Sequence, residues 1–171
     1  MMTWCCGLRR NLGKNKIMTI FILIHSISSI VALVLGSANL LQIKGTKIHK
    51  VLGWMFIVCM FISAISSFGI YNNKFSLIHM LSLLVIMWLS RAIYAIRLKP
   101  ENWLHIHASS IGAAYIAILI AGVGVFVRKI LLPGDSNAGY AASAFTAIIL
   151  IYFLNKMTNK YKTITSKVIQ K

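Results

Sequence analysis

Carboxylate side chains are nearly absent from this sequence, in which Glu101 and Asp135 are the only two among 171 residues. Both fall in stretches that join apolar runs, so no apolar run contains an acid. Ion-coupled transporters and proton relays usually carry carboxylates inside their membrane spans. The shortage of acids therefore argues against a cation-coupled or proton-coupled pump.

Charged residues of either sign are scarce as well, at 12% of the chain, whereas 58% of the chain is hydrophobic. About a quarter of a soluble domain is usually charged. The apolar residues come in runs of about twenty, which is long enough to cross a bilayer. Since helices satisfy their own backbone polar groups in lipid, we expect an all-α integral membrane protein.

Five transmembrane helices are predicted, and their short connections favour antiparallel neighbours, with the first four helices forming a bundle. A basic N-terminal tail and a basic C-terminal tail flank this transmembrane domain, which covers residues 17–155. The helices are expected at about residues 17–43, 51–71, 75–96, 104–127 and 140–154, and the tails at 1–16 and 156–171.

The 18 Lys and Arg residues give a net charge of +16, which in a soluble protein would suggest a nucleic-acid partner. Here they lie mostly between and beyond the apolar runs, which predicts contact with anionic lipid headgroups and no nucleic-acid partner. Arg91 lies inside the third apolar run and is not counted; of the others, ten lie on the C-terminal side of the bilayer and seven on the other. This excess predicts the cell membrane with a cytoplasmic C-terminus. The ten are Lys44, Lys47, Lys50, Arg97, Lys99, Lys156, Lys160, Lys162, Lys167 and Lys171.

Histidines fall near one end of each of the first four predicted helices. His25 and His79 lie early in helices one and three, His49 opens helix two, and His105 and His107 open helix four. Because alternate helices run the same way, this predicts two histidine layers at opposite ends. At 1.5 Å per residue, the layers would be on the order of 20–27 Å apart.

Two layers of paired histidines are typical of a protein that holds two b-type haems, since each iron takes one imidazole from each of two helices. The predicted pairs are His25 with His79, and His49 with His107, with His105 as the alternate to His107. Electrons from a small-molecule or quinone-type donor would then cross the bilayer.

Small side chains beside the histidines favour this hypothesis, because a porphyrin needs room next to its ligand. Gly53 follows His49 by one turn, and the face of His25 continues in Ser29, Ala32 and Gly36. The same small residues also serve helix–helix packing with no cofactor. Arg91 and Lys47 also have two possible roles: each could bind a haem propionate, or each could contact lipid headgroups as a cation.

Three segments, HKVLGWMF, IHMLSLLVIMWLSRAIYAIR and HASSIGAAY, resemble an uncharacterised bacterial membrane family, domain of unknown function 2306. The resemblance covers about residues 20–130 and matches the family's histidines at His49, His79 and His107. It implies a multi-helix membrane domain and gives no activity.

The segments TKIHKVLG and FSLIHMLSLL also resemble the cytochrome b-561 group of transmembrane di-haem electron carriers. This resemblance implies haem ligation by His25, His79, His49 and His107, with oxidation of ascorbate and reduction of ferric iron or related acceptors. The residues after His79 lack the Trp-x-Gly of that group. The alternative prediction is a cofactor-free multi-pass protein with a structural, assembly or small-solute-handling role.

Overall fold

The computed structural model describes residues 2–70, 77–133 and 135–169, and the side chains within 16–70, 79–133 and 135–158. This part of the chain is helical and contains no strand, which confirms the all-α prediction. A π-helical turn, Val127–Leu131, continues the fourth helix. The α-helices are α1 Met2–Leu41, α2 Lys47–Ser67, α3 Leu77–Leu98, α4 Trp103–Phe126 and α5 Ser136–Ile169.

Five stretches within the described residues are long and apolar enough to cross a membrane, as the sequence predicts. They have 20 to 29 residues each, which corresponds to about 30–44 Å of helix. The chain divides into two compact units, residues 1–83 (unit 1) and 84–171 (unit 2). The spans are Lys16–Leu41, Lys47–Ser67, His79–Leu98, Trp103–Leu131 and Ser136–Thr158.

Side-chain caps place two helix starts a few residues before the apolar runs begin. The hydroxyl of Thr46 accepts a hydrogen bond from the backbone N–H of His49 at 3.2 Å, so α2 begins at Lys47. Asp135 Oδ1 accepts from the N–H groups of Asn137 and Ala138 at 2.9 and 3.1 Å, so α5 begins at Ser136. Each cap satisfies N–H groups that have no partner inside the helix.

Two helices extend well beyond the apolar runs from which they were predicted. The first begins at Met2 instead of residue 17, and the fifth ends at Ile169 instead of residue 154. Hydropathy marks only the part of a helix that lies in lipid, whereas helical hydrogen bonds continue into polar residues. The short connection expected between the second and third helices, residues 72–74, lies outside the described residues.

Within unit 1, α1 and α2 form an antiparallel pair joined by residues 42–46. The Ser29 hydroxyl of α1 forms a hydrogen bond with the Ser63 hydroxyl of α2, and Asn39 of α1 lies beside Gly53 of α2. A later residue of α1 thus contacts an earlier residue of α2, so the two helices run in opposite directions. Ala32 is fully buried. Small residues therefore allow the two helices to approach closely.

Within unit 2, α4 and α5 pack as a second antiparallel pair at two glycines. A Cβ on Gly139 would lie 2.9 Å from the Gly124 carbonyl oxygen and 3.1 Å from Arg128 Cβ. The Ser143 hydroxyl donates to the Ile120 carbonyl at 3.1 Å across the same contact. Since the neighbour at Gly139 is backbone, the contact leaves no room for a side chain.

This contact predicts a large difference between two glycine substitutions in unit 2. We expect Gly139→Ala to lower the free energy of unfolding by about 1–3 kcal/mol, the usual range for overpacking. Gly122→Ala is the matched control, because nothing lies within 4 Å of its Cβ position. Thermal unfolding of the purified protein in detergent measures both, and equal melting temperatures for the two variants would contradict the described packing.

Candidate functional site

Polar side chains cluster inside the apolar spans of unit 1, at the end of α2 that leads to α3. Polar groups buried within a membrane span require hydrogen-bond partners, and they mark candidate functional sites. Five of the buried members are Ser63, Ser66, Ser67, His79 and Ser82. The half-buried His25 and Ser29 of α1 join them through hydrogen bonds. We call these seven residues the polar cluster.

The imidazole of His25 is fixed by the backbone of the neighbouring helix. Its Nδ1 lies 2.8 Å from the carbonyl oxygen of Ser63 and 3.3 Å from the Ser63 hydroxyl. A carbonyl oxygen only accepts, so Nδ1 carries the proton and Nε2 keeps its lone pair. Among the described residues, no hydrogen bond engages Nε2. The Ser29 hydroxyl extends the network to the Ser63 hydroxyl at 2.6 Å.

His79 reaches the same end of α2 from the start of α3. Its side chain is 5% exposed, and its ring centroid lies 5.6 Å from that of Phe68. One turn later, the hydroxyls of Ser82 and Ser67 are 2.7 Å apart. His25 and His79 therefore contact α2 within about 8 Å along its axis, as the helix directions predict.

His49 lies at the opposite end of α2, about 21 Å along the helix from Ser63. Its half-buried imidazole faces the backbone carbonyl of Asn39, while its Nδ1 atom is buried without a hydrogen-bond partner. The Asn39 amide nitrogen lies 3.4 Å from the Cβ position of Gly53. The Asn39 side chain thus borders the space beside Gly53 that was predicted to accommodate a porphyrin.

Three lysines surround this end of the α1–α2 pair. Lys44 Nζ donates to the carbonyls of Asn39 and Leu40 at 3.1 and 3.0 Å, and partial burial lowers the pKa of its ammonium. A cation at a helix C-terminus is stabilised by the helix dipole. Lys47 and Lys50, in the first turn of α2, are exposed.

The remaining predicted site residues belong to unit 2. His107 Nδ1 lies 3.4 Å from the Ala92 carbonyl oxygen of α3, an arrangement like that of His25. His105 is half-buried and Arg91 is exposed. Within the side chains that the structure describes, no group of three or more His, Cys, Asp or Glu residues is placed to hold a metal ion.

Two residues that contact the candidate histidines, Ser63 and Asn39, were not identified from the sequence. Ser63 takes part through its backbone carbonyl, which carries no sequence signal, although the serines at 63, 66 and 67 mark one polar face of an apolar helix. Asn39 had a clearer signal, since an amide near the end of an apolar run needs hydrogen-bond partners.

The Ser29–Ser63 hydrogen bond predicts energetic coupling between two α1 and α2 side chains. In a double-mutant cycle of Ser29→Ala and Ser63→Ala, we expect a coupling energy of about 0.6 kcal/mol, the average for membrane proteins, and at most ~1.7 kcal/mol. The exposed Ser26 supplies the control, because Ser26→Ala and Ser63→Ala should add to within about 0.3–0.5 kcal/mol. Chemical unfolding in micelles measures both cycles, and equal coupling in the two would contradict the contact.

Comparison with known proteins assigns a family and no activity. No curated protein and no solved structure has significant similarity to the chain. Residues 22–158 match the family described as "Predicted membrane protein (DUF2306)", which covers all five candidate spans wholly or in large part. The chain therefore belongs to this family of membrane proteins.

Proposed function

We propose that this membrane protein binds one b-type haem through His25 and His79, at the end of unit 1 that holds the polar cluster, and carries electrons through it. The observation that supports the proposal is the 2.8 Å hydrogen bond from His25 Nδ1 to the Ser63 carbonyl. Histidines that bind metals almost always donate their other ring N–H to a carboxylate, a carbonyl or water. His25 has that arrangement, with Nε2 left as the ligand atom.

The chemistry of the two imidazoles fits a haem, whereas the small-residue face of α1 does not supply the space. Ala32 and Gly36 are buried, and the Ser29 hydroxyl is bonded to Ser63 of α2. These residues serve helix packing in unit 1. The support for haem therefore lies in the ligand atoms and their shared level, and not in the spacing of small side chains.

Around these ligands, the residues of unit 1 would orient the imidazoles and exclude water. The Ser63 carbonyl holds the His25 ring in one tautomer and increases the basicity of Nε2. Phe68 contacts the His79 ring with a centroid distance of 5.6 Å, and Ala64 of α2 is buried. When bound, a b-type haem supplies reversible one-electron oxidation and reduction of its iron.

The contacts of His49 favour one haem over the two that the histidine pattern predicts. The Asn39 amide nitrogen lies 3.4 Å from the Cβ position of Gly53, one turn after His49, so a porphyrin beside Gly53 would have to displace it. We therefore leave His49 out of the proposed haem site, and with it the pair of His49 with His107 or His105.

A cofactor-free role is the second candidate, and a specific observation favours it. The α1–α2 contact explains the small residues near His25. Many hydroxyls of the polar cluster already have hydrogen-bond partners within α1, α2 and α3. In that case, the cluster serves to fix helix register, and the protein has a structural or assembly role.

Haem content of three variants tests the leading proposal. We expect His25→Ala to lose most of the Soret absorbance of the purified full-length protein, because one axial ligand is removed. Added imidazole should restore much of it, since the side chain alone is missing and the fold is intact. Haem content is measured as the pyridine haemochrome per chain.

His49→Ala and His105→Ala are the controls, and both should keep wild-type haem content. The two-haem hypothesis predicts instead that His49→Ala removes about half of the haem. Retention of full haem by His25→Ala would eliminate His25 as a ligand. A wild-type protein that contains no haem after haem supplementation would leave the cofactor-free role.

We also propose that the protein lies in the cell membrane with its C-terminus in the cytoplasm, on the basis of the ten-to-seven excess of Lys and Arg on that side. Fusions of green fluorescent protein and alkaline phosphatase to Lys171 test this orientation in bacteria. We expect a fluorescent cell with an inactive phosphatase fusion, and the reverse pattern would show that the C-terminus is outside.

A further inference from the structure

The end of the α1–α2 pair that holds His49 contains two buried polar atoms without hydrogen-bond partners. They are Asn39 Oδ1 and His49 Nδ1, on two helices whose side chains face each other there. A buried polar atom without a partner costs free energy, so such atoms indicate a missing water or ligand. Two of them together, on half-buried side chains where the two helices meet, indicate a ligand that enters from outside. We call this junction of Asn39 and His49 the cleft.

The position of this cleft restricts the ligand to the membrane interface. The α1 span ends at Leu41 and the α2 span begins at Lys47, so Asn39 and His49 lie close to where lipid headgroups begin. Residues 1–100 contain no carboxylate that would neutralise Lys47 and Lys50. The cleft therefore favours an anionic group from a lipid.

The side-chain amide oxygen of Asn39, Oδ1, adds a second requirement for the ligand. An amide oxygen accepts hydrogen bonds only, so its ligand must donate one. Lipid headgroups donate through hydroxyls or through ammonium groups, and the nearby lysines repel an ammonium. An anionic headgroup that also carries hydroxyls satisfies both requirements.

We propose that the cleft between the end of α1 and the start of α2 binds the glycerol-phosphate headgroup of phosphatidylglycerol. Lys47 and Lys50 attract its phosphodiester, and a glycerol hydroxyl donates to Asn39 Oδ1. The other His49 ring nitrogen must donate to the Asn39 backbone carbonyl, so Nδ1 accepts the second hydrogen bond from a glycerol hydroxyl. Lys44 positions the end of α1 through its bonds to the carbonyls of Asn39 and Leu40. This site does not depend on haem.

The test compares three short-chain lipids of equal acyl length by their effect on the melting temperature of the full-length protein in detergent. Phosphatidylmethanol carries the same charge as phosphatidylglycerol without its hydroxyls, and phosphatidylcholine carries no net charge. We expect phosphatidylglycerol to bind about 3- to 10-fold more tightly than phosphatidylmethanol, the ratio for one neutral hydrogen bond, and both to bind more tightly than phosphatidylcholine.

Two sets of variants separate hydroxyl recognition from charge attraction. Asn39→Leu should make phosphatidylglycerol and phosphatidylmethanol equal while keeping the advantage of both over phosphatidylcholine. The exposed pair Lys47→Met and Lys50→Met should reduce that advantage and keep the ratio between the two anionic lipids. The control pair Lys129→Met and Lys156→Met, also exposed but in unit 2, should leave all three affinities unchanged.

Three results would overturn the proposal. The first is equal binding of phosphatidylglycerol and phosphatidylmethanol by the wild-type protein, which would leave charge attraction alone. The second is an equal shift from soluble glycerol phosphate, which would mean that no lipid is required. The third is loss of lipid binding in the control pair equal to that in the Lys47 and Lys50 pair. If Asn39→Leu does not fold, the lysine pairs and the wild-type ratio still decide the question.

Discussion

His25 of α1 donates a hydrogen bond to the Ser63 carbonyl of α2, and much of unit 1 is arranged around that carbonyl. The same oxygen accepts from the Ser66 hydroxyl at 3.0 Å, and the Ser63 hydroxyl bonds Ser29 at 2.6 Å. In lipid, no water is present to satisfy these groups, so each depends on a partner in its own helix or in the neighbouring one. This constraint sets the register of α1 on α2 and gives the His25 imidazole a single tautomer.

A consequence of that register is that the two ends of the α1–α2 pair have different chemistry. One end brings the imidazole of His25 to a cluster of serine hydroxyls and to the level of His79. The other end brings His49 beside Asn39 and a group of lysines. The histidines look alike in the sequence and each faces a backbone carbonyl, yet the first lies among serine hydroxyls and the second lies near lysines at the headgroup level. The side chains at the two ends are therefore suited to different ligands.

The sequence predicts the membrane class and the five spans, because long apolar runs have few other structural solutions. It also predicts that His25 and His79 share one end, since helix direction alternates along the chain. The helix ends could not be predicted from hydropathy, because they depend on the Thr46 and Asp135 caps and on polar residues that continue the helices. The role of the small residues after His25 was equally open, since a porphyrin and a neighbouring helix need the same space. Only the contact between Ser29 and Ser63 distinguishes the two.

If His25 presents Nε2 to a haem iron, the purified wild-type protein will have the reduced-minus-oxidised absorption spectrum of a b-type haem. Expression with supplemented haem ensures that the cofactor is not limiting. We expect the sharp α and β bands of a reduced b-type haem at about one haem per chain. A featureless spectrum from a folded, haem-supplemented preparation would contradict it.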